Sequence, residues 1–333
     1  MNQKILNPRL NITNHYHADF KDSLGHAAFV GLQQKQKRLP SKFFYDQKGS
    51  KLFEEICNLD EYYLTRTELS LLERIAEQLM STFTSGDIVE LGSGANWKIR
   101  KLLDQIDPQH QHKCRYIPVD VSSSALISAA DELLQIYPKL NIHGIVADFT
   151  KHLDKIPHDR PRTFLFFGSS IGNFTLNDSQ NFMNQVAKCM NQEDRFILAV
   201  DMVKPVDILE TAYNDKKGVT AAFNKNILMV VNRELEGDLE PNYFEHCAFF
   251  NKQHSRIEMH LKAKDKISAN FKQIGLKFEM EKGETIHTEN CQKFDRVRVN
   301  QMIRDTDLMI SDWHSDEKEW FSLVEMRLKD NQN

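Results

Sequence analysis

The amino-acid sequence predicts an α/β protein built on a doubly wound, mainly parallel sheet, and three observations carry that expectation. Strand-like and helix-like segments alternate from Gly86 to about Val200. The strand-like segments are short, continuous apolar runs, as expected of parallel strands covered by helices on both faces. The first of them, in IVELGSGANWKIR, ends in Glu90 and Leu91 and feeds a turn containing Gly92 and Gly94, where the backbone can fold back without a Cβ clash.

In chain order the core reads DIVELG (strand), KIRKLLDQI (helix), CRYIPVDV (strand), SSALISAADELLQIY (helix), NIHGIVADF (strand), RTFLFFGSS (strand), LNDSQNFMNQVAKCM (helix) and RFILAVDMV (strand). Before it, FKDSLGHAAFVGLQQKQKRL and GSKLFEEICNLDEYYLTRTELSLLERIAEQLM show helical periodicity around the loop PSKFFYDQKGS. After it, helical text from Val206 to about Glu236 gives way to YFEHCAFFNKQHSRIEMHLKAK, a hairpin turning near Asn251 to Ser255. Strand-like text continues through LKFEMEKGETIHTENCQKF, and the end reads helix, strand, strand, a pair suited to the edge of the core sheet. The expected division is 1–60 for the first part of a second lobe, 61–204 for the core, 205–286 for the rest of that lobe, and 287–333 for the return to the core sheet.

In sheets of this class ligands sit beyond the carboxyl ends of the strands, which singles out Glu90, Asp120, Asp148 and the segment from Ser169 to Asn173. The glycine turn is not a dinucleotide fingerprint, because Trp97 stands where the third glycine belongs, and it lacks the spacing and Lys-Ser/Thr ending of a P-loop. A ligand without a diphosphate is indicated. Asp120, 26 residues past Gly94 at the end of the second strand, is placed to accept both ribose hydroxyls. One strand later, Asp148 can accept from an adenine amine while Phe149 packs against the base. Adenosine recognition without phosphates points to S-adenosyl-L-methionine.

Composition excludes other classes. With Lys plus Arg at 43 against Asp plus Glu at 47, the net charge of −4 offers no general attraction to nucleic acid or an anionic membrane. Five dispersed cysteines without CxxC pairs suggest reduced thiols and no zinc site. The N-terminal text lacks the apolar core of a signal peptide, and no uncharged apolar stretch approaches membrane-spanning length. A cytoplasmic monomer is expected.

The motifs LPSKFFYDQKGSKLFEEI, EYYLTRTE, VELGSG followed by Lys98, GSSIGNFT, RIEMHLKAK and IHTENCQKF, with the long block from Asp201 to Phe250, resemble the histidine-specific Nα-methyltransferase family of ergothioneine biosynthesis, from Leu39 onward. That resemblance implies a Rossmann-like class I methyltransferase core with a discontinuous α+β substrate-binding lobe. It also implies three successive methyl transfers from S-adenosyl-L-methionine to the α-amino group of L-histidine, giving hercynine. By the same resemblance Gly92 and Lys98 contact the methionine part of the cofactor, Asp120 the ribose, and Asp148 with Phe149 the adenine. Asn173 contacts the substrate's amino group, Tyr213 its carboxylate, and Tyr45 and Tyr62 line the pocket. Glu289 receives the imidazole N–H and Met259 lines the same end. Cys291 stands where the histidine-specific enzymes have serine, a smaller residue and a stronger donor.

No metal or covalent intermediate is required, since the transferred methyl group is already activated. Asn173 and Tyr45 are the catalytic candidates. A tyrosine hydroxyl, the Asn173 carbonyl or a water orients the amine's lone pair, and aromatic faces such as Tyr45 and Phe44 favour the growing ammonium. Two alternatives stand beside this reading: the same chemistry on another α-amino acid or aromatic amine, and a non-catalytic sensor that binds S-adenosyl-L-methionine.

Overall fold

The computed structural model describes residues 7–16 and 20–330. In chain order the elements are β1 (Leu10–Asn14), α1 (Phe20–Leu32), β2 (Lys37–Arg38), α2 (Gln47–Cys57), α3 (Tyr63–Met80), β3 (Gly86–Leu91), α4 (Trp97–Leu103), β4 (Cys114–Asp120), α5 (Ser123–Ile136), β5 (Asn141–Val146), β6 (Arg162–Phe166), α6 (Leu176–Cys189), β7 (Arg195–Asp201), α7 (Val206–Tyr213), α8 (Val219–Leu235), β8 (Phe244–Asn251), β9 (Arg256–Ala263), β10 (Ile267–Phe271), β11 (Leu276–Met280), β12 (Thr285–Gln292), α9 (Arg296–Ile303), β13 (Leu308–Ser315) and β14 (Phe321–Leu328).

Eight strands form the core sheet in the order β1-β5-β4-β3-β6-β7-β14-β13. The first six run parallel, and the final pair returns antiparallel along β7, as the closing helix, strand, strand pattern predicts. The chain moves outward from β3 to β5, then resumes at β6 on the other side of β3. That reversal opens a crevice at the carboxyl ends of β3 and β6, where doubly wound sheets bind ligands. Strand periodicity divides the packing: Val89, Leu91, Phe164 and Phe166 join one core cluster with α6 and α9, while Ile88, Tyr116 and Leu165 join another with α3, α4 and α5. This is the doubly wound α/β core that the alternating segments predict.

The remaining segments build a four-stranded sheet, β2-β12-β9-β8, and the hairpin β10-β11. Helices α1, α2 and α8 cover them around Leu24, Phe44, Phe223, Ile227, Leu261 and Phe271, so residues far apart in sequence share one core. Gly49 on α2 marks a close approach, because a Cβ there would lie 1.7 Å from the Phe44 carbonyl oxygen.

Several placements differ from the sequence expectations. Residues 10–14, assigned with 1–60 to the second lobe, form the edge strand β1 of the core sheet. The strand is short and polar, and Ile12 gains room because its partner Gly144 has no side chain; a Cβ there would come within 2.7 Å of Ile12 and 2.2 Å of Leu126. Residues 1–6, 17–19 and 331–333 of the expected domains lie outside the described residues. The boundary at 286/287 cuts through β12, whose hydrogen bonds to β9 hold it in the lobe sheet. The two long helical stretches each split, at 58–62 and at 214–218. In the second break the Asp215 carboxylate accepts the Val219 and Thr220 amides at 2.9 and 2.8 Å and starts α8 anew. Strand β10 had no sequence signal separate from the text around it.

Candidate functional site

The turn after β3 is held open by backbone conformation. Gly92 and Gly94 have φ of 69° and 50°, the left-handed region that favours glycine. The Gly92 amide donates to the Val119 carbonyl at 2.8 Å, and the Gly94 amide approaches the Asp120 carboxylate at 3.4 Å. The Asp120 carboxylate also accepts the Ser122 amide at 2.9 Å, and burial raises its pKa. Glu90, at the base of the turn, is buried and accepts from the Tyr116 hydroxyl. Burial pushes its pKa up to about 8, against the opposing effects of that hydrogen bond and the Lys98 charge.

Asp148 lies two residues past the end of β5, not within the strand. One of its oxygens accepts the Thr150 amide at 3.0 Å and the Thr150 hydroxyl. The other faces Lys42 of the second lobe at 3.7 Å. Phe149 packs edge-on against Phe166, with centroids 5.3 Å apart, and would lie 3.5 Å from a Cβ on Gly92. The glycine turn, Asp120, Asp148 and Phe149 thus line one continuous stretch of the crevice.

Lys98, in the first turn of α4, points at α3: its Nζ lies 2.7 Å from Oε2 of the buried Glu68. Oε1 of Glu68 accepts the Gly168 amide at 2.7 Å. Gly168 and Ser169 both have positive φ, 73° and 54°, at the carboxyl end of β6, and Ser169 Oγ accepts the Asp201 amide at 2.9 Å. This constrained turn leads into the single 3-10 turn Ser170–Asn173. Gly172 lets β12 pass close by, since a Cβ there would be 3.1 Å from the Gln292 nitrogen. Asn173 therefore stands where the core crevice meets the lobe sheet.

From the lobe side, β12 supplies Glu289 and Cys291. A bulge between His287 and Glu289 sets their facing: His287 pairs with His260 and stacks on it at 4.6 Å, while Glu289 pairs with the buried Met259. The Thr288 hydroxyl fixes the bulge, donating to Asn224 at 2.6 Å and to the Met259 carbonyl at 3.0 Å. Burial raises the Glu289 carboxyl to about 7, opposed by a hydrogen bond from Cys291 and by the charge of Lys293. The Cys291 thiol is itself pushed well up by burial and then by Glu289.

Three tyrosines close the cluster. Tyr62 and Tyr213 meet edge-on at 6.0 Å, and Tyr45 packs edge-on against Phe53 and Phe223, each at 5.7 Å. Burial raises all three phenols well above their usual range; Glu289 adds to the effect on Tyr45, Cys57 on Tyr62 and Cys291 on Tyr213. Tyr45, Tyr62, Tyr213, Met259, Glu289 and Cys291 are thereby brought together in one partly aromatic cluster.

A family model described as histidine-specific, S-adenosylmethionine-dependent methyltransferase matches residues 24–328. The chain belongs to the histidine-specific methyltransferase family. Among curated relatives, histidine N-alpha-methyltransferase of Mycobacterium tuberculosis is 37% identical over 95% of this chain and 98% of its own length. The protein of the same name from Mycolicibacterium smegmatis is 37% identical over 92% and 96%. Ergothioneine biosynthesis protein 1 of Schizosaccharomyces pombe is 30% identical over 71% of this chain and 32% of its own length.

S-adenosyl-L-methionine, the cofactor of this methyltransferase family, fits the crevice on the structure's own terms. The glycine turn presents backbone rather than side chains, Asp120 and Asp148 add carboxylate acceptors, and Lys98, paired with Glu68, adds a cation. Several residues that support the crevice and the aromatic cluster carried no separate sequence signal. Glu68 closes the quoted motif EYYLTRTE but lies on a helix, 30 residues before the lysine it holds. Asp201 and Lys204, three residues apart, meet the distant Lys293 beside Tyr213: Lys293 donates to Asp201 at 2.8 Å, and Lys204 donates to the same carboxylate. Lys293 follows Glu289 and Cys291 at alternate positions, and that period of two was the available signal.

Proposed function

We propose that this enzyme transfers methyl groups from S-adenosyl-L-methionine to the α-amino group of L-histidine, three times in succession, to give hercynine. The observation that carries the reading is Glu289, half-buried on β12 and close enough to Tyr45 and Tyr62 for its charge to act on both phenols. A carboxyl with a pKa near 7 is readily ionised by a partner that brings a donor, and the imidazole N–H of histidine is such a partner.

The roles follow from position. Gly92 and Lys98 hold the methionine part of the cofactor, Asp120 the ribose, and Asp148 with Phe149 the adenine. Asn173, on its constrained turn, faces the amino group, and Tyr213 donates to the carboxylate. The bound cofactor supplies an electrophilic methyl group. The chain has to hold a neutral amine in line with it and exclude water, a positioning task worth up to roughly 7 to 11 kcal/mol. Tyr45 and Asn173 orient the lone pair, and the aromatic faces favour the cationic product as it grows. The phenols are held far above neutrality, so Tyr45 acts as a hydrogen-bonding group and not as a preformed base.

Mass spectrometry of the protein incubated with S-adenosyl-L-methionine and each standard amino acid in turn tests the reading. Trimethylated histidine as the dominant product is expected. Dominant methylation of another amino acid would reject histidine as substrate, and cofactor binding without transfer to any amine would favour the sensor.

A further inference from the structure

Lys293, one residue beyond the end of β12, shares a strand face with Glu289 and Cys291. Its side chain is 1% exposed. The ammonium donates to Oδ2 of Asp201 at 2.8 Å and to the Tyr213 oxygen at 3.1 Å, and it lies 4.8 Å from the centroid of that ring. Asp201 is shared. Lys204 donates to its Oδ1, the Tyr63 hydroxyl donates to its Oδ2 at 2.7 Å, and Lys204 also donates to the Tyr63 oxygen at 2.8 Å.

Two buried ammonium groups share one fully buried carboxylate; the other acids that act on them are the partly exposed Asp316 near Lys204 and Glu289 on the far side of Lys293. Lys204 donates to Asp201, to the Tyr63 oxygen and to the Met202 carbonyl, the three contacts of an ammonium, while burial lowers its pKa to about 8 and Asp201 opposes that effect. A sealed excess of positive charge is costly unless an anion meets it. The cluster reaches the aromatic residues through Tyr213, whose oxygen accepts from Lys293 and whose hydroxyl lies against the Cys291 thiol, a weak acceptor that a carboxylate would displace.

We propose that Lys293 is a positioning residue that makes the pocket select an α-carboxylate: held by Asp201, it directs the Tyr213 proton toward the substrate and supplies the positive charge that the substrate's carboxylate balances. This deepens the reading above and rests on its placement of Tyr213. Lys293 acts through the tyrosine. The preference for a free amino acid over the corresponding amine then has its origin behind the pocket wall.

The test compares L-histidine with histamine, which keeps the imidazole and the amine but lacks the carboxylate. Calorimetric affinities are measured at pH 7 with the protein saturated by S-adenosylhomocysteine. Lys293→Met leaves Asp201 paired with Lys204 and so strands no charge. It is expected to weaken L-histidine about tenfold or more, the scale of a lost charge-assisted contact, with histamine changed less than about twofold. Equal losses for both ligands, or unchanged affinity for L-histidine, would overturn the proposal. Lys204→Met provides a second variant if the first does not fold: it removes the excess charge with Lys293 in place and must lower the acid-to-amine preference, and an unaltered preference would overturn the charge argument. Because each comparison sets an amino acid against its own decarboxylated amine, it runs on whichever amino acid the protein accepts. A different side-chain preference would defeat the histidine reading and leave the Lys293 result intact.

Discussion

Lys98 Nζ and Glu68 Oε2 lie 2.7 Å apart, and the same glutamate receives the Gly168 amide on its other oxygen. One carboxylate on α3 therefore orients both the lysine proposed to meet the cofactor and the turn that leads to Asn173. Lys98→Met should weaken S-adenosyl-L-methionine binding about tenfold while leaving kcat at saturating cofactor near wild type. Glu68→Ala should weaken binding and also lower kcat, because the Gly168 turn loses its anchor. Calorimetry and steady-state kinetics separate the two; full cofactor affinity in Lys98→Met would remove that lysine from the cofactor site.

Asp120 ends β4 with acceptor capacity beyond the Ser122 and Gly94 amides. Asp120→Ala should cost roughly 1.5 to 3 kcal/mol of cofactor affinity, the usual range for hydrogen bonds to a charged group. Affinity for L-histidine, measured with cofactor in saturating excess, should stay close to wild type. Wild-type cofactor binding in this variant would refute the ribose assignment.

Two glutamates held above the ordinary carboxyl range set a pH dependence. Glu289 and Glu90 are raised by burial to about 7 and about 8 from the ordinary 4.5. A carboxyl that holds its proton more tightly when folded stabilises the fold at pH below 4.5, and that contribution is lost as pH rises through the folded value. The ligand-free protein should therefore melt at progressively lower temperature between about pH 5 and 8. Glu289→Gln, neutral at every pH, should flatten part of this slope and raise the KM for L-histidine sharply. A slope identical to wild type would mean that Glu289 is not protonated in the free protein.

Cys291 touches the proposed imidazole reader and the proposed carboxylate reader at once, through its effects on Glu289 and Tyr213. A hydroxyl is a better donor than a thiol and takes less space. Cys291→Ser should lower the KM for L-histidine severalfold with little change in melting temperature. An unchanged KM would show that the thiol serves the pocket as well as the serine does.

The core was legible because its signals are local. Apolar runs of strand length, the glycine turn and the acids ending β4 and following β5 can each be read from a few adjacent residues. The edge strand β1 escaped because it lies far in sequence from its partner β5, and its fit depends on the missing side chain of Gly144. The candidate site residues came through resemblance, residue by residue, and the structure brings Tyr45, Tyr62, Tyr213, Met259, Glu289 and Cys291 close together, whereas the groups behind them had no such signal. Glu68 and Lys98 meet across two helices, and Asp201, Lys204 and Lys293 acquire their meaning only when the end of β7 and the end of β12 come together.

Strand β12 also works as a ruler. Two steps along an extended strand span roughly 7 Å, so the separation between Glu289 and the Cys291 position beside Tyr213 is written into the covalent chain and does not rely on the packing of loops. Cavities shaped by side chains adjust to an added methylene by repacking, but graduations on a strand cannot slide apart. A homologue of histidine with a longer side chain would put its imidazole or its carboxylate out of register, and recognition would fail by length before it failed by chemistry.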